Sequence, residues 1–310
     1  MEKLVIKGKK PGPHIVLLAG VHGDEYEPMA ACRKIYRELR NSLEKGKISI
    51  VPNVNPTAYQ AGTRFGSDGL DLARICPGRE DGTPSEQAAH AVSRLIRKAD
   101  MLVDMHTGGL LYDIFPLAGY MLSEDAGILE IQRKMARSFL LPLVWGTDPL
   151  PNGRTLSVAR DERIPAIYLE YGGGSGFRRR VVKTYVKGFL NLLKQFDMIH
   201  GKPEVLEEFY WVEDARPDSG YLQRKMPSPA DGICMPRVKT GEQIRKGDEW
   251  ATILDPATGD KVRLYADIDG LVFLQRTIAK VQKGDALGGI LPITGPGKVK
   301  FDAAGGSVPF

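Results

Sequence analysis

The chain has 310 residues, 42% hydrophobic and 26% charged, with 43 Lys and Arg against 38 Asp and Glu for a formal net charge of +5. That is an ordinary globular composition, longer than a single core usually grows, so two domains are expected and a disordered or fibrous chain is excluded. The charge is mild and scattered, its tightest run (Arg178-Arg179-Arg180) is too short for a nucleic-acid surface, and three cysteines (Cys32, Cys76, Cys234) outside C-x-x-C spacing exclude both a disulfide framework and a cysteine zinc site.

From the N-terminus, MEKLVIKGKK lacks the apolar stretch of a signal peptide, and no run of 18 apolar residues follows anywhere. With cysteine so sparse, a reducing, cytoplasmic setting is expected. Short apolar runs then alternate with amphipathic ones. Strands are predicted over residues 14–19, 48–54, 101–104 and 166–170, and helices near 26–44, 85–98, 125–139 and 181–196. Apolar strands between amphipathic helices predict an α/β sheet covered on both faces. Thr83-Pro84-Ser85 supplies a helix entry, with Thr83 or Ser85 as the cap.

After Gly201-Lys202-Pro203 helical periodicity stops, and Gly, Pro and short β-branched segments take over. The expected organisation is a catalytic α/β domain over residues 1–203 and an all-β domain over 204–310. Within this tail, DGICMPRVKTGEQIRKGDEWATI (231–253) aligns with DGLVFLQRTIAKVQKGDALGGI (269–290), which predicts a small pseudo-symmetric β sandwich or barrel. The repeat resembles the barrel-sandwich module of biotinyl and lipoyl carrier domains. Their modified lysine would fall in Ala-Asp-Ile-Asp-Gly, which has none, so a carrier role is not expected.

The residues that bear chemistry gather at strand ends. His22 and Glu25 stand three apart just after the first predicted strand, and His106 follows the third. Ligands at strand ends can converge on one point of an open α/β sheet. Two histidines and a glutamate form a catalytic zinc set that leaves a fourth position for water or substrate, so one Zn2+ per chain is expected. A His-x-x-Glu pair is weak by itself. Both histidines, however, follow apolar strands and lead into glycine, whereas His14, His90 and His200 have no acidic or histidine partner in comparable spacing. Asp104, two residues before His106, points to the same side of its strand and is placed to orient the imidazole. Glu170 ends the apolar run AIYLE ahead of a glycine loop, where a catalytic base and a structural salt bridge are both open readings. The loop's glycines, at 172, 173, 174 and 176, break G-x-G-x-x-G, which argues against nucleotide binding.

Behind HGDE, four segments follow in order: NVNPTAYQAGTRF (53–65), SDGLDLARICPG (67–78), DMHTGG (104–109) and YLEYGGGSGF (168–177). In these five motifs the chain resembles the succinylglutamate desuccinylase/aspartoacylase family, relatives of the zinc carboxypeptidases, over almost all of its first part and into the β tail. The resemblance implies a zinc-carboxypeptidase-like mixed sheet flanked by helices, plus a C-terminal barrel-sandwich-like domain. It makes His22, Glu25 and His106 the zinc ligands, Glu170 the catalytic glutamate and Arg64 the arginine near the scissile carbonyl. Arg74, with Asp71 in the same stretch, is implied to bind substrate through a carboxylate. Where the family has D-L-N-R-x-F-P-G, this chain has Asp-Leu-Ala-Arg-Ile-Cys-Pro-Gly. Ala73 in place of asparagine removes two donors and an acceptor from the grip on that carboxylate.

The expected reaction is hydrolysis of the amide of a small N-acylated amino acid or related compound. Zinc and Glu170 would activate the water, and Arg64 would stabilise the oxyanion. A metallocarboxypeptidase acting on peptide or peptidoglycan fragments shares the same metal site and stays open, as does a non-catalytic binding protein retaining the fold. Arg160 and Tyr112 are candidate pocket residues. The expected partner is a small N-acyl substrate, with neither nucleic acid nor membrane, and the added β domain is compatible with a homo-oligomer.

Overall fold

The alternation in the sequence becomes a large mixed sheet with helices on its two faces. The computed structural model describes residues 1–221, 226–304, 306–308 and 310. Its elements up to the tail are β1 (Leu4–Lys7), β2 (Lys10–Ala19), α1 (Tyr26–Leu39), β3 (Lys45–Val51), α2 (Pro56–Ala61), α3 (Pro84–Ile96), β4 (Met101–Met105), β5 (Tyr112–Met121), α4 (Ala126–Ser138), β6 (Leu143–Thr147), α5 (Thr155–Asp161), β7 (Ala166–Gly173), α6 (Arg179–Gln195) and β8 (Tyr210–Asp214). The strands lie in the order β1-β3-β2-β4-β7-β5-β6-β8.

At the centre, β2, β4 and β7 are parallel neighbours, with Ala19 beside Met105 and Met105 beside Leu169. Three chain exits therefore lie side by side, and the site is built on them. The central strands are apolar on both faces because both are covered. Ile15, Leu17, Val103 and Ile167 join a core with Ile35 of α1 and Phe189 of α6, while Val16, Leu18, Leu102 and Ala166 join one with Val92 of α3 and Ala159 of α5. α3 begins as the sequence suggests: Thr83 is its cap residue, and the Glu86 carboxylate accepts the Thr83 N–H at 2.9 Å.

Periodicity does not reveal β5, which carries Pro116 and Gly119 in YDIFPLAGYM. Pro116 falls where the register against β7 shifts, between Ile114 and Leu117, so its missing N–H interrupts no ladder bond. Gly119 makes room for Tyr168: a Cβ there would lie 2.1 Å from that ring.

Beyond residue 203 the described chain is all β. β9 (Gly232–Pro236), β10 (Gln243–Ile244) and β11 (Glu249–Leu254) come from the first repeat; β12 (Lys261–Tyr265) intervenes; β13 (Gly270–Arg276), β14 (Lys280–Val281) and β15 (Gly288–Leu291) come from the second. In each half the first strand pairs antiparallel with the third, β9 with β11 and β13 with β15. The short middle strands are exchanged, β10 pairing with β13 and β14 with β9. That exchange is the physical content of the repeat. The tail is also woven into the main sheet. β16 (Gly297–Phe301) runs parallel to β8 and pairs with β17 (Ser307–Val308), while β13 pairs with β5, placing Arg276 opposite Tyr112. Phe273 and Leu274 share a core with Ile114, Leu117 and Trp145. Among the described residues, no helix is long and apolar enough to cross a membrane.

Candidate active site

His22 and Glu25 lie in the loop from β2 to α1. Gly23 between them is sterically required: a Cβ there would lie 1.9 Å from the Ala58 carbonyl carbon of α2. His106 is the first residue past β4, and Glu170 lies on β7 just past the Met105–Leu169 pair. The register of the three central strands thus brings together residues more than 140 positions apart in sequence, from His22 to Glu170.

The two imidazoles converge on one carboxylate. His22 Nδ1 is 2.6 Å from Glu25 Oε1, and His106 Nδ1 is 2.9 Å from Glu25 Oε2. One ligand atom from each of the three lies within 4.8 Å of the others, and the residues are only 4%, 2% and 8% exposed. The far nitrogen of each ring faces a second acid. His106 Nε2 is 3.2 Å from Asp104 Oδ2, and His22 Nε2 is 3.4 Å from Asp71 Oδ1, too poorly aligned for a hydrogen bond. Burial alone would raise the Glu25 pKa, but the two histidines hold it down at about 2. Burial opposes a charge on His106, yet Asp104 and Glu25 on either side raise its pKa well above the ordinary value. A buried N, N, O donor set whose imidazoles are backed by carboxylates fits a divalent cation of the zinc type.

Glu170 faces this cluster. Its Oε2 is enclosed and makes no hydrogen bond among the described residues. Burial pushes its pKa well above the usual carboxylate range; Glu25 and Asp104 add to the rise, while His106 and Arg64 oppose it. Arg64 donates from Nε to Asp71 Oδ2 at 2.9 Å, and its Nη1 approaches His22 Nδ1 to 3.4 Å. Asp71 also accepts the Ala73 N–H at 3.0 Å. Each of its oxygens therefore accepts one bond from a protein donor.

Arg74 lies beside Arg154, a residue the sequence reading does not single out. Both guanidiniums lie over the Tyr221 ring, at 5.7 Å and 4.7 Å from its centroid. Loop packing sets them together: the Gly153 carbonyl accepts the Cys76 N–H at 3.0 Å, and a Cβ on Gly153 would lie 2.3 Å from the Arg74 carbonyl oxygen. Burial lowers the Arg74 pKa, with Arg64 and Arg154 lowering it further against Asp71. Arg160 is turned elsewhere, donating to the Pro151 carbonyl at 3.3 Å and to Asn152 Oδ1 at 2.6 Å, where it braces a loop. Sequence spacing points to Arg160; the cavity takes Arg154.

The space is divided in two. An inner chamber of about 90 Å³ is lined by His22, Arg64, Arg74, His106, Arg154 and Glu170. An outer chamber of about 460 Å³ shares Arg64 and Arg74 and adds Tyr112, Tyr221 and, from the tail, Arg276 and Asp285. The glycines after Glu170, which end β7, serve backbone packing. Gly173 has φ +113, and a Cβ there would lie 2.2 Å from the Tyr112 carbonyl oxygen.

Residues 11–196 match the succinylglutamate desuccinylase/aspartoacylase catalytic domain. The N-alpha-acetyl-L-2,4-diaminobutyric acid deacetylase of Halomonas elongata is 30% identical over 285 residues, spanning 89% of this chain and 81% of that protein. Among solved structures, a succinylglutamate desuccinylase/aspartoacylase from Rhodobacter sphaeroides superposes with a TM-score of 0.83 at 27% identity, covering 94% of this chain and 89% of the other. The product-bound ectoine utilization protein EutE (DoeB) from Ruegeria pomeroyi superposes with a TM-score of 0.84 at 28% identity, covering 93% and 87%.

Proposed function

The chain belongs to the succinylglutamate desuccinylase/aspartoacylase family, and from that premise we propose that it is a zinc-dependent hydrolase of the amide bond in a small N-acylated amino acid or close analogue. The observation that carries this reading is the convergence of His22, Glu25, His106 and Glu170 at the ends of three adjacent parallel strands. His22, Glu25 and His106 would hold the metal, one ion per chain. When bound there, zinc supplies Lewis acidity, which makes water a nucleophile near neutral pH and polarises a carbonyl.

The remaining work falls to side chains of this protein. Glu170, enclosed and with a raised pKa, takes the proton of the attacking water and returns it to the leaving nitrogen. Arg64 donates to the developing oxyanion. Asp71 acts by positioning Arg64, whose Nε it holds at 2.9 Å. Arg74 and Arg154 offer two planar cations to a substrate carboxylate. Arg64, Arg74 and Arg154, set against Asp104 and Glu170, give the inner chamber a lining suited to an anion, as a free N-acyl amino acid requires. The tail, read as a barrel-sandwich-like module, walls the outer chamber and narrows access. In this reading the partner is a small N-acyl compound.

Metal analysis of protein purified without chelator, with a ninhydrin screen of N-acyl amino acids, tests this. One zinc per chain and release of a free amino acid are expected. Absence of any bound divalent metal, with no activity after zinc addition, would overturn it, and a peptide shortened at its C-terminus would make it a carboxypeptidase.

A further inference from the structure

The turn over residues 107–111, between His106 and β5, is gripped from several sides. Asp24, next to Glu25, accepts the Leu110 N–H at Oδ2 (3.0 Å). From the end of β7, Gly172 accepts from the Gly108 N–H at 2.9 Å, and just past it Gly174 donates to the Gly109 carbonyl at 2.7 Å. From the tail, Thr277 donates twice: its N–H to the Leu111 carbonyl at 2.8 Å and its Oγ1 to the Leu110 carbonyl at 2.9 Å. The fit depends on glycine, since Gly109 has φ +56 and a Cβ there would lie 2.5 Å from Asp24 Oδ2. The Leu110 and Leu111 side chains are exposed, at 39% and 37%, so apolar packing does little to hold the turn. Hydrogen bonds hold it.

These bonds tie together the loop of His22 and Glu25, the strand exit of His106, the end of the strand that carries Glu170 and the C-terminal module. We propose that this turn is a clamp by which the C-terminal module fixes the separation of His106 from Glu25, with Thr277 and Asp24 as positioning residues. A ligand set holds its metal well only when its members keep their mutual distances, and the atoms that orient ligands matter nearly as much as the ligands. The tail then contributes to the metal site itself as well as to the walls of the entrance.

Thr277→Val keeps the side-chain shape and the backbone bond to Leu111 but deletes the Oγ1 donor; Thr277→Ser restores it. Asp24→Ala removes the acceptor for Leu110. In metal-free protein, amides over residues 106–112 should exchange with deuterium about five- to tenfold faster in Thr277→Val and Asp24→Ala, with α6 and the central strands unchanged. Zinc affinity, measured by competition with a chromophoric chelator, should fall about tenfold in both and recover in Thr277→Ser. Unchanged exchange over 106–112 in Thr277→Val would overturn the clamp. Faster exchange with undiminished zinc affinity would overturn the positioning role. The affinity arm rests on the function proposed above and the exchange arm does not: a wild-type protein that binds no zinc refutes that function and the positioning role, while exchange still decides the clamp.

Discussion

Asp71→Ala separates positioning from substrate contact. The Asp71 side chain is 13% exposed and accepts a charge-assisted bond from Arg64 Nε at 2.9 Å. Such a bond is worth about 1.5–3 kcal/mol. Losing an oxyanion donor outright costs about 10²- to 10³-fold in kcat. Arg64 would remain present but unanchored, so kcat should fall about 10- to 100-fold with KM nearly unchanged, measured at saturating zinc on an N-acyl amino acid. The double variant Asp71→Ala/Arg64→Ala should be little worse than Arg64→Ala alone, because both delete one function. A raised KM with kcat intact would mean that Asp71 contacts substrate after all. Effects that multiply in the double variant would equally refute the reasoning.

Glu170→Gln keeps the shape but cannot carry the proton; kcat should fall about 10²- to 10⁴-fold while metal analysis still finds zinc bound. Ala73 lines the inner chamber beside Arg74, so Ala73→Asn should increase the preference for a free acid over its amide, in kcat/KM, by about 1–3 kcal/mol; no change would count against Arg74 as the carboxylate reader. Burial would raise the Asp68 pKa, but bonds from Thr83, Ser85 and Leu70 outweigh it and depress the value from 3.8 to about 2. A depressed folded-state pKa means stability that is present above the unfolded value and lost as pH falls from about 4 towards 2. Asp68→Asn should therefore cost about 1 kcal/mol in urea unfolding at neutral pH, after allowance for solvent screening, with the gap closing in acid; a gap that persists below the folded value would contradict the assignment.

Much of the site is legible in the chain because its signals are local. His22, Glu25, His106 and Glu170 stand at the ends of apolar runs, and a strand's two-residue period, its end and the glycines that follow are all fixed within about ten residues of sequence. The change of texture near residue 203 and the repeat in the tail are likewise local, and the repeat reappears as two halves with exchanged short strands. What the sequence does not contain is pairing. That β2, β4 and β7 are neighbours, and that β13 returns to β5 from more than 150 residues away, depends on hydrogen bonds whose partners leave no periodic trace. The hidden strand β5 shows the same limit: Pro116 reads as a breaker until the register shift that accommodates it is seen. Arg154 and Tyr221 are the clearest case. Arg154 reaches Arg74 through a contact between two irregular loops, set by the fit of Gly153 against the Arg74 backbone, and Tyr221 meets both guanidiniums from a third segment. A close approach between distant loops is decided by the packing of the whole chain, so tertiary structure alone could select Arg154 over Arg160.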